Sequence, residues 1–162
     1  MKIYIDADGC PVVRNTMKIA KKYDISCVII CDTAHRIELD GAETIVVSQG
    51  ADSVDFRLVN LISRGDIVIT QDYGLAAMCL GKNAIVLHQD GKQYTEENIG
   101  GLLEFRAIGK KIRRSGGRTK GMPKRTSHQD TEFEKALDDL LKDLRNQNDN
   151  PASTQINKTD SV

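Results

Sequence analysis

Five short runs rich in apolar and β-branched residues recur along the chain, each separated from the next by a segment of a different period. This alternation constrains the fold more than any other feature. The runs are Lys2–Ile5, Ser26–Cys31, Thr44–Ser48, Asp66–Thr70 and Ala84–His88, and each has the length and residue types of a strand. The run DIVIT lacks polar alternation, as a strand buried on both faces does. Between the runs lie helical stripes. Val12, Val13, Met17, Ile19 and Ala20 form one, ending near Asp24, with Pro11 placed for its first turn. Val54, Leu58, Leu61 and Ile62 mark a helix over Asp52–Arg64, with Gly65 as its stop. Leu75–Leu80 is a short helix closed by Gly81, and Thr95 caps one over Glu96–Ile112. Thr131-x-x-Glu134 has the form of a capping box for a last helix, whose stripe is Phe133, Leu137, Leu140, Leu141 and Leu144. Asp32–Glu43 reads equally as a short helix or a turn-rich crossover. The predicted fold class is α/β: three layers around a mainly parallel sheet of about five strands, joined by right-handed crossovers.

A chain of 162 residues, 40% of them apolar, suffices for one domain with a core. The expectation is a single domain over residues 1–145 and a disordered tail over 146–162, where Asn, Gln, Asp, Ser and Thr take over. No apolar run approaches the ~20 residues of a membrane span, and the opening lacks the pattern of a signal peptide. A cytoplasmic protein is expected. Cys27 and Cys31 share a predicted strand, which sets them roughly 13 Å apart, too far for a disulfide or a shared ion. They are expected as buried thiols, and Cys27-x3-Cys31-x3-His35 is not a zinc motif.

The formal net charge is zero, yet the charges are segregated. Residues 1–105 carry 10 basic and 15 acidic side chains, residues 106–126 nine basic and no acidic, and residues 127–162 four basic and eight acidic. A compact basic block beside an acidic domain points to a polyanionic partner, against the plainer reading of a solvated loop. Arg113, Arg114, Arg118 and Lys120, with Ser115-Gly116-Gly117, suit phosphate contacts, since Arg binds phosphate bidentately and Gly admits close backbone approach. Four Tyr, three Phe and no Trp do not indicate extensive base stacking.

Ligands of parallel α/β sheets bind beyond the carboxyl ends of the strands. Asp6 and Asp8 follow the first strand, Asp52 and Asp55 follow the third, and Asp72 follows the fourth. Each alone reads as a cap or a turn residue. Together, five carboxylates at one sheet edge repel one another and raise their pKa values, a conflict that Mg²⁺ or Mn²⁺ removes. Asp66 precedes its strand and is expected to be structural. Cys10, beside these acids, has no His nearby in sequence to activate it.

The stretches IYIDADGCPV, GADSVD, GDIVITQDYGLA and SGGRTKGMP resemble the YaiI/YqxD family of small bacterial proteins over about residues 1–145. Gly9 stands where many relatives have Ala. The family has no established activity, and its fold is similar to PIN-like nuclease domains. Those domains place acids after the first strand, in a middle helix and after the fourth strand, around Mg²⁺ or Mn²⁺. The resemblance thus implies metal-binding and catalytic roles for Asp6, Asp8, Asp52, Asp55 and Asp72. The function expected is a metal-dependent phosphodiesterase. Asp6 and Asp72 would be direct ligands, with Asp8, Asp52 and Asp55 binding a second ion or orienting water, and the basic block holding the strand. The preference for RNA follows from family analogy. The first rival is a non-catalytic nucleic-acid-binding module with a residual acidic site. The second is a phosphatase of the haloacid-dehalogenase type with Asp6 as nucleophile, disfavoured by Cys10 where that motif has Thr or Val, with Pro11 behind it.

Overall fold

Successive residues of β1 (Ile3–Asp6) point to opposite faces of the sheet, and both faces are covered. Ile3 and Ile5 pack on one side and Tyr4 on the other, all nearly inaccessible to solvent. The molecule is described by a computed structural model over residues 1–48, 50, 53–117 and 123–149. After β1 come α1 (Val13–Lys22), β2 (Cys27–Asp32), β3 (Ala42–Val47), α2 (Ser53–Leu61), β4 (Ile67–Ile69) and α3 (Tyr73–Gly81). The chain continues through β5 (Ile85–Leu87), β6 (Gln93–Tyr94), α4 (Glu96–Arg114) and α5 (Ser127–Asp149).

The strands form one sheet in the order β3-β2-β1-β4-β5-β6. The first five are parallel and β6 runs antiparallel to β5. The expected three-layer architecture is therefore present, with one short edge strand more than expected. Gln93–Tyr94 is too brief to register as a period-2 pattern. On one face, α1 and α5 bury Ile19, Ala20, Phe133, Leu137 and Leu141 against Ile5, Ile29 and Ile69. On the other, α2 and α3 bury Val54, Leu58, Leu75 and Cys79 against Tyr4, Ile30 and Val68. Burying one such Leu or Ile contributes about 1.5–3 kcal/mol.

The path from β1 crosses one face through α1, and the path from β4 crosses the opposite face through α3. Adjacent strands whose connections leave to opposite faces open a crevice at their carboxyl ends. That crevice lies beyond Asp6 and Ile69.

Several local expectations are corrected. α1 begins at Val13, after Pro11, and lacks a side-chain cap at Val12. α2 ends at Leu61, so Gly65, at φ +81°, serves the turn before β4 rather than the helix end. The link between β2 and β3 contains no helix. Thr131 lies inside α5, where its hydroxyl donates to the Ser127 carbonyl. The capping pair is instead Thr126 and Gln129: the Thr126 amide donates to Gln129 Oε1 at 2.9 Å, and the Gln129 amide to Thr126 Oγ1 at 3.4 Å. α5 also runs on to Asp149, so 146–149 are helical. Residues 150–162 of the expected tail lie outside the described residues. Asp66, as expected, is structural: it accepts the Lys2 and Ser63 amides at 2.9 Å each and ties β1 to the turn before β4.

Candidate metal centre

Asp6 closes β1 with its side chain turned into the crevice, 7% exposed. Its Oδ2 accepts the Thr70 hydroxyl at 2.6 Å, and Thr70 Oγ1 in turn accepts the Asp72 amide at 3.0 Å. This buried threonine couples the end of β1 to the turn that opens α3. Asp72 is the N-cap of α3, its Oδ1 accepting from the amides of Gly74 at 2.7 Å and Leu75 at 3.0 Å. The same oxygen takes Nη1 of Arg106 at 3.1 Å, from α4. The cap reading of Asp72 and its place in the crevice are both correct. Asp8 follows β1 and accepts the Asp32 amide through Oδ1 at 3.2 Å. Asp55 sits in the first turn of α2.

Asp6, Asp8, Asp55 and Asp72 thus line one cleft of about 1100 Å³, and Asp32 joins them. Asp52, Arg118 and Lys120 lie outside the described residues. Asp32 and His35 went unrecognised in sequence. Asp32 ends β2, so the carboxyl-end rule includes it once the strand is extended by one residue. His35 Nδ1 stands 2.9 Å from Asp32 Oδ1 and 3.9 Å from Asp8 Oδ1. One ligand atom from each of Asp8, Asp32 and His35 falls within 4.8 Å of the others, a spacing compatible with a shared ion.

The electrostatics follow from this packing. Burial pushes the Asp6 carboxyl up from 3.8 to about 6. The Thr70 hydroxyl opposes the rise, and the charges of Asp55, Asp8 and Asp72 add to it. Partial burial opposes ionisation of Asp72 too, but the Leu75 amide, Arg106 and the Gly74 amide outweigh it and hold its pKa below the ordinary value. The group under strain is therefore Asp6, a buried carboxyl facing three others. Hard divalent cations suit such an all-oxygen donor set. Burial lifts the Cys10 thiol to about 11, so it is not a thiolate nucleophile at neutral pH.

The basic block divides in two. Arg106 and Arg113 line the cleft from α4, while Arg114 is exposed at the helix end. Arg125 is structural: it binds Asp90 at 2.6 Å, Asp130 at 2.7 Å and the Gln89 carbonyl at 2.7 Å, clamping the loop after β5 to the start of α5. The amides expected to meet phosphate are also engaged. Gly116 N–H donates to the Arg113 carbonyl at 3.2 Å and Gly117 N–H to the Ile112 carbonyl at 3.0 Å, with Gly116 at φ +82°. That is a Schellman closure of α4, not a phosphate nest.

A mainly parallel α/β sheet with an aspartate cluster at the carboxyl ends of its strands is the class of protein that fold and site define. The chain belongs to the YaiI/YqxD family, described as uncharacterised, whose pattern matches residues 4–143. It is 50% identical over 141 residues to a UPF0178 protein of Exiguobacterium sibiricum, covering 87% of this chain and 96% of the relative. A UPF0178 protein of Ruminiclostridium cellulolyticum is 52% identical over 138 residues, 85% of this chain and 90% of the relative. Among solved structures, a mutant of Rae1 (YacP) from Bacillus subtilis matches at 15% identity and a TM-score of 0.42, covering 89% of this chain and 99% of that one. No described helix is long and apolar enough to cross a membrane.

Proposed function

We propose that this protein is a phosphodiesterase dependent on Mg²⁺ or Mn²⁺ that cleaves nucleic acid, RNA in the first instance. The observation that carries the reading is the meeting of Asp6, Asp8, Asp55 and Asp72 in one cleft whose far wall bears Arg106 and Arg113. The acids come after β1, in α2 and after β4, the order that the PIN-like resemblance implies. The choice of RNA over DNA draws on that resemblance alone.

Asp6 and Asp72 would hold the ion, with Asp8 and Asp55 beside them, and Asp52 is carried along by its place in the motif. Such an ion, when bound, supplies charge neutralisation for the aspartates and an activated water for attack at phosphorus. The chain's own residues do the rest. Thr70 fixes Asp6 and Asp72 relative to each other, Arg106 and Arg113 attract the phosphates, and Arg114, Arg118 and Lys120 continue the basic run in sequence as further phosphate-binding candidates. One observation favours the binding-module alternative: Asp72 Oδ1 already carries three hydrogen bonds, as a purely structural cap would.

The test is cleavage of a labelled single-stranded RNA with Mn²⁺. Asp72→Asn keeps the cap, because Asn is as good an N-cap as Asp, yet removes the charge. It and Asp6→Asn are expected to lose at least 100-fold in rate with the fold intact. Unchanged rates in both variants reject the assignment. Metal-independent binding without cleavage by the wild type favours the module.

A further inference from the structure

We propose that the cleft-facing strip of α4 is a base-binding platform, in which Phe105, Ile108 and Ile112 receive an unpaired base while Arg106 and Arg113 hold the adjoining phosphates. The inference rests on the nucleic-acid reading of the cleft and adds to it the part of the strand that is gripped.

The first half of α4 is anchored, with Ile99 and Leu102 packed against the α2/α3 core. From Glu104 to Arg114 every residue except Gly109 is exposed. Phe105 is 74% exposed, Ile108 51% and Ile112 42%, yet all three line the cleft. Three large apolar side chains together on a solvent-facing helix mark a surface that something covers. Charge selects the occupant. Residues 105–114 contain five basic side chains and no acidic one. A second copy would set those cations against its own, whereas a polyanion complements them.

The arrangement around the helix matches a polynucleotide in detail. At 3.6 residues per turn, Ile108, Ile112 and Phe105 fall on one side of Gly109, and Arg113 and Arg106 on the other. An apolar strip and a pair of guanidinium groups therefore run side by side, as a base and its phosphate do in a strand. Gly109 forms the low point between them. A Cβ there would meet Arg113 Nη1 at 3.5 Å, so this arginine leans back across the helix toward the cleft. Among the described residues the Arg113 side chain lines the cleft without an ion pair or side-chain hydrogen bond, whereas Arg106 is paired with Asp72. A duplex hides its base faces in the stack, so the platform admits an unpaired nucleotide. Of the three phenylalanines, Phe133 is in the core and Phe56 is exposed on α2 but does not line the cleft; Tyr73 lines the cleft too but is half-buried with its ring edge-on to Tyr94, so Phe105 is the solvent-exposed ring of the cleft.

The experiment measures binding by fluorescence anisotropy in EDTA, with a single-stranded oligoribonucleotide and with an abasic strand of equal length. Phe105→Ala, an exposed position that leaves the core untouched, should weaken the base-bearing strand about 10-fold, within the range for one base on an aromatic ring. It should leave the abasic strand and the salt slope unchanged, because no charge is removed. Arg113→Ala should weaken both strands alike. Equal affinities of Phe105→Ala and wild type for the base-bearing strand overturn the platform while leaving the polynucleotide reading intact. So does an equal loss on both strands. A wild type that binds neither strand overturns both. Sedimentation showing a wild-type dimer that Phe105→Ala dissociates, with strand affinity unchanged, overturns the platform and assigns the strip to a second copy.

Discussion

Asp6 is held where its charge is least comfortable, 7% exposed at the end of β1 with three carboxylates facing the same space. Its pKa near 6 means that the folded protein binds a proton more tightly than the unfolded chain does between about pH 3.8 and 6. That contribution to stability is full below pH 3.8 and is lost as pH rises through 6. The difference corresponds to about 3 kcal/mol. In EDTA, urea unfolding should therefore show the wild type losing up to that amount between pH 4 and 7.5. Asp6→Asn, which retains an acceptor for Thr70, should flatten the loss and be the more stable protein at pH 7.5. A wild type equally stable at both pH values, with Asp6→Asn no different, would contradict the burial of this charge. Gly9, three residues after Asp6, adopts φ +71°, where a side chain would also meet Gln71 Nε2 at 3.2 Å. Gly9→Ala is thus strained in this backbone.

At the level of elements, the basic block is two devices that share a stretch of sequence. α4 carries its arginines into the cleft, and the segment before α5 uses Arg125 as a clamp with 18% of its side chain exposed. Gly91, at φ +81°, makes the clamp possible: a Cβ there would come within 2.8 Å of Ala136 Cβ and 3.2 Å of the Glu132 carbonyl. Arg125→Ala breaks bonds to Asp90, Asp130 and the Gln89 carbonyl and should cost about 2 kcal/mol in stability. Its affinity for single-stranded RNA should stay within twofold of the wild type when both are measured well below the melting temperature. A large loss of affinity with no loss of stability would place Arg125 among the binding residues instead.

Across the whole molecule, the crevice owes its charge to topology. β1 and β4 are adjacent only because the chain moves outward through β2 and β3 and returns, and this places Asp6 beside the turn of Asp72. Cations that bind there bind the folded state alone, since the unfolded chain scatters the acids. At a hundredfold excess over Kd, Mn²⁺ should stabilise the protein by about 2.7 kcal/mol, roughly 5–10 °C in melting temperature. Asp6→Asn should abolish most of that gain. Superimposable melting curves of the wild type with and without Mn²⁺ would remove the metal centre.

The strands were legible in sequence because Ile, Val and Tyr crowd into short runs that only a sheet buried on both faces accommodates. The acids were legible because they follow those runs, and four of the five stand together in the described structure; Asp52 lies outside it. Other features depend on distances that no local pattern encodes. Thr131-x-x-Glu134 carries the local pattern of a cap, yet α5 starts at Ser127 and the capping pair is Thr126 and Gln129. Asp32 and His35 join Asp8 only through the register of β2 against β1. Most of all, the helix expected over Glu96–Ile112 does not reveal in sequence which of its apolar residues are covered. Periodicity shows that such residues share a side of a helix, whereas the partner that side meets depends on where the neighbouring elements stop. Ile99 and Leu102 pack on the core while Phe105, Ile108 and Ile112 further along α4 stay exposed, so the tertiary structure turns these apolar residues into a wall of the cleft.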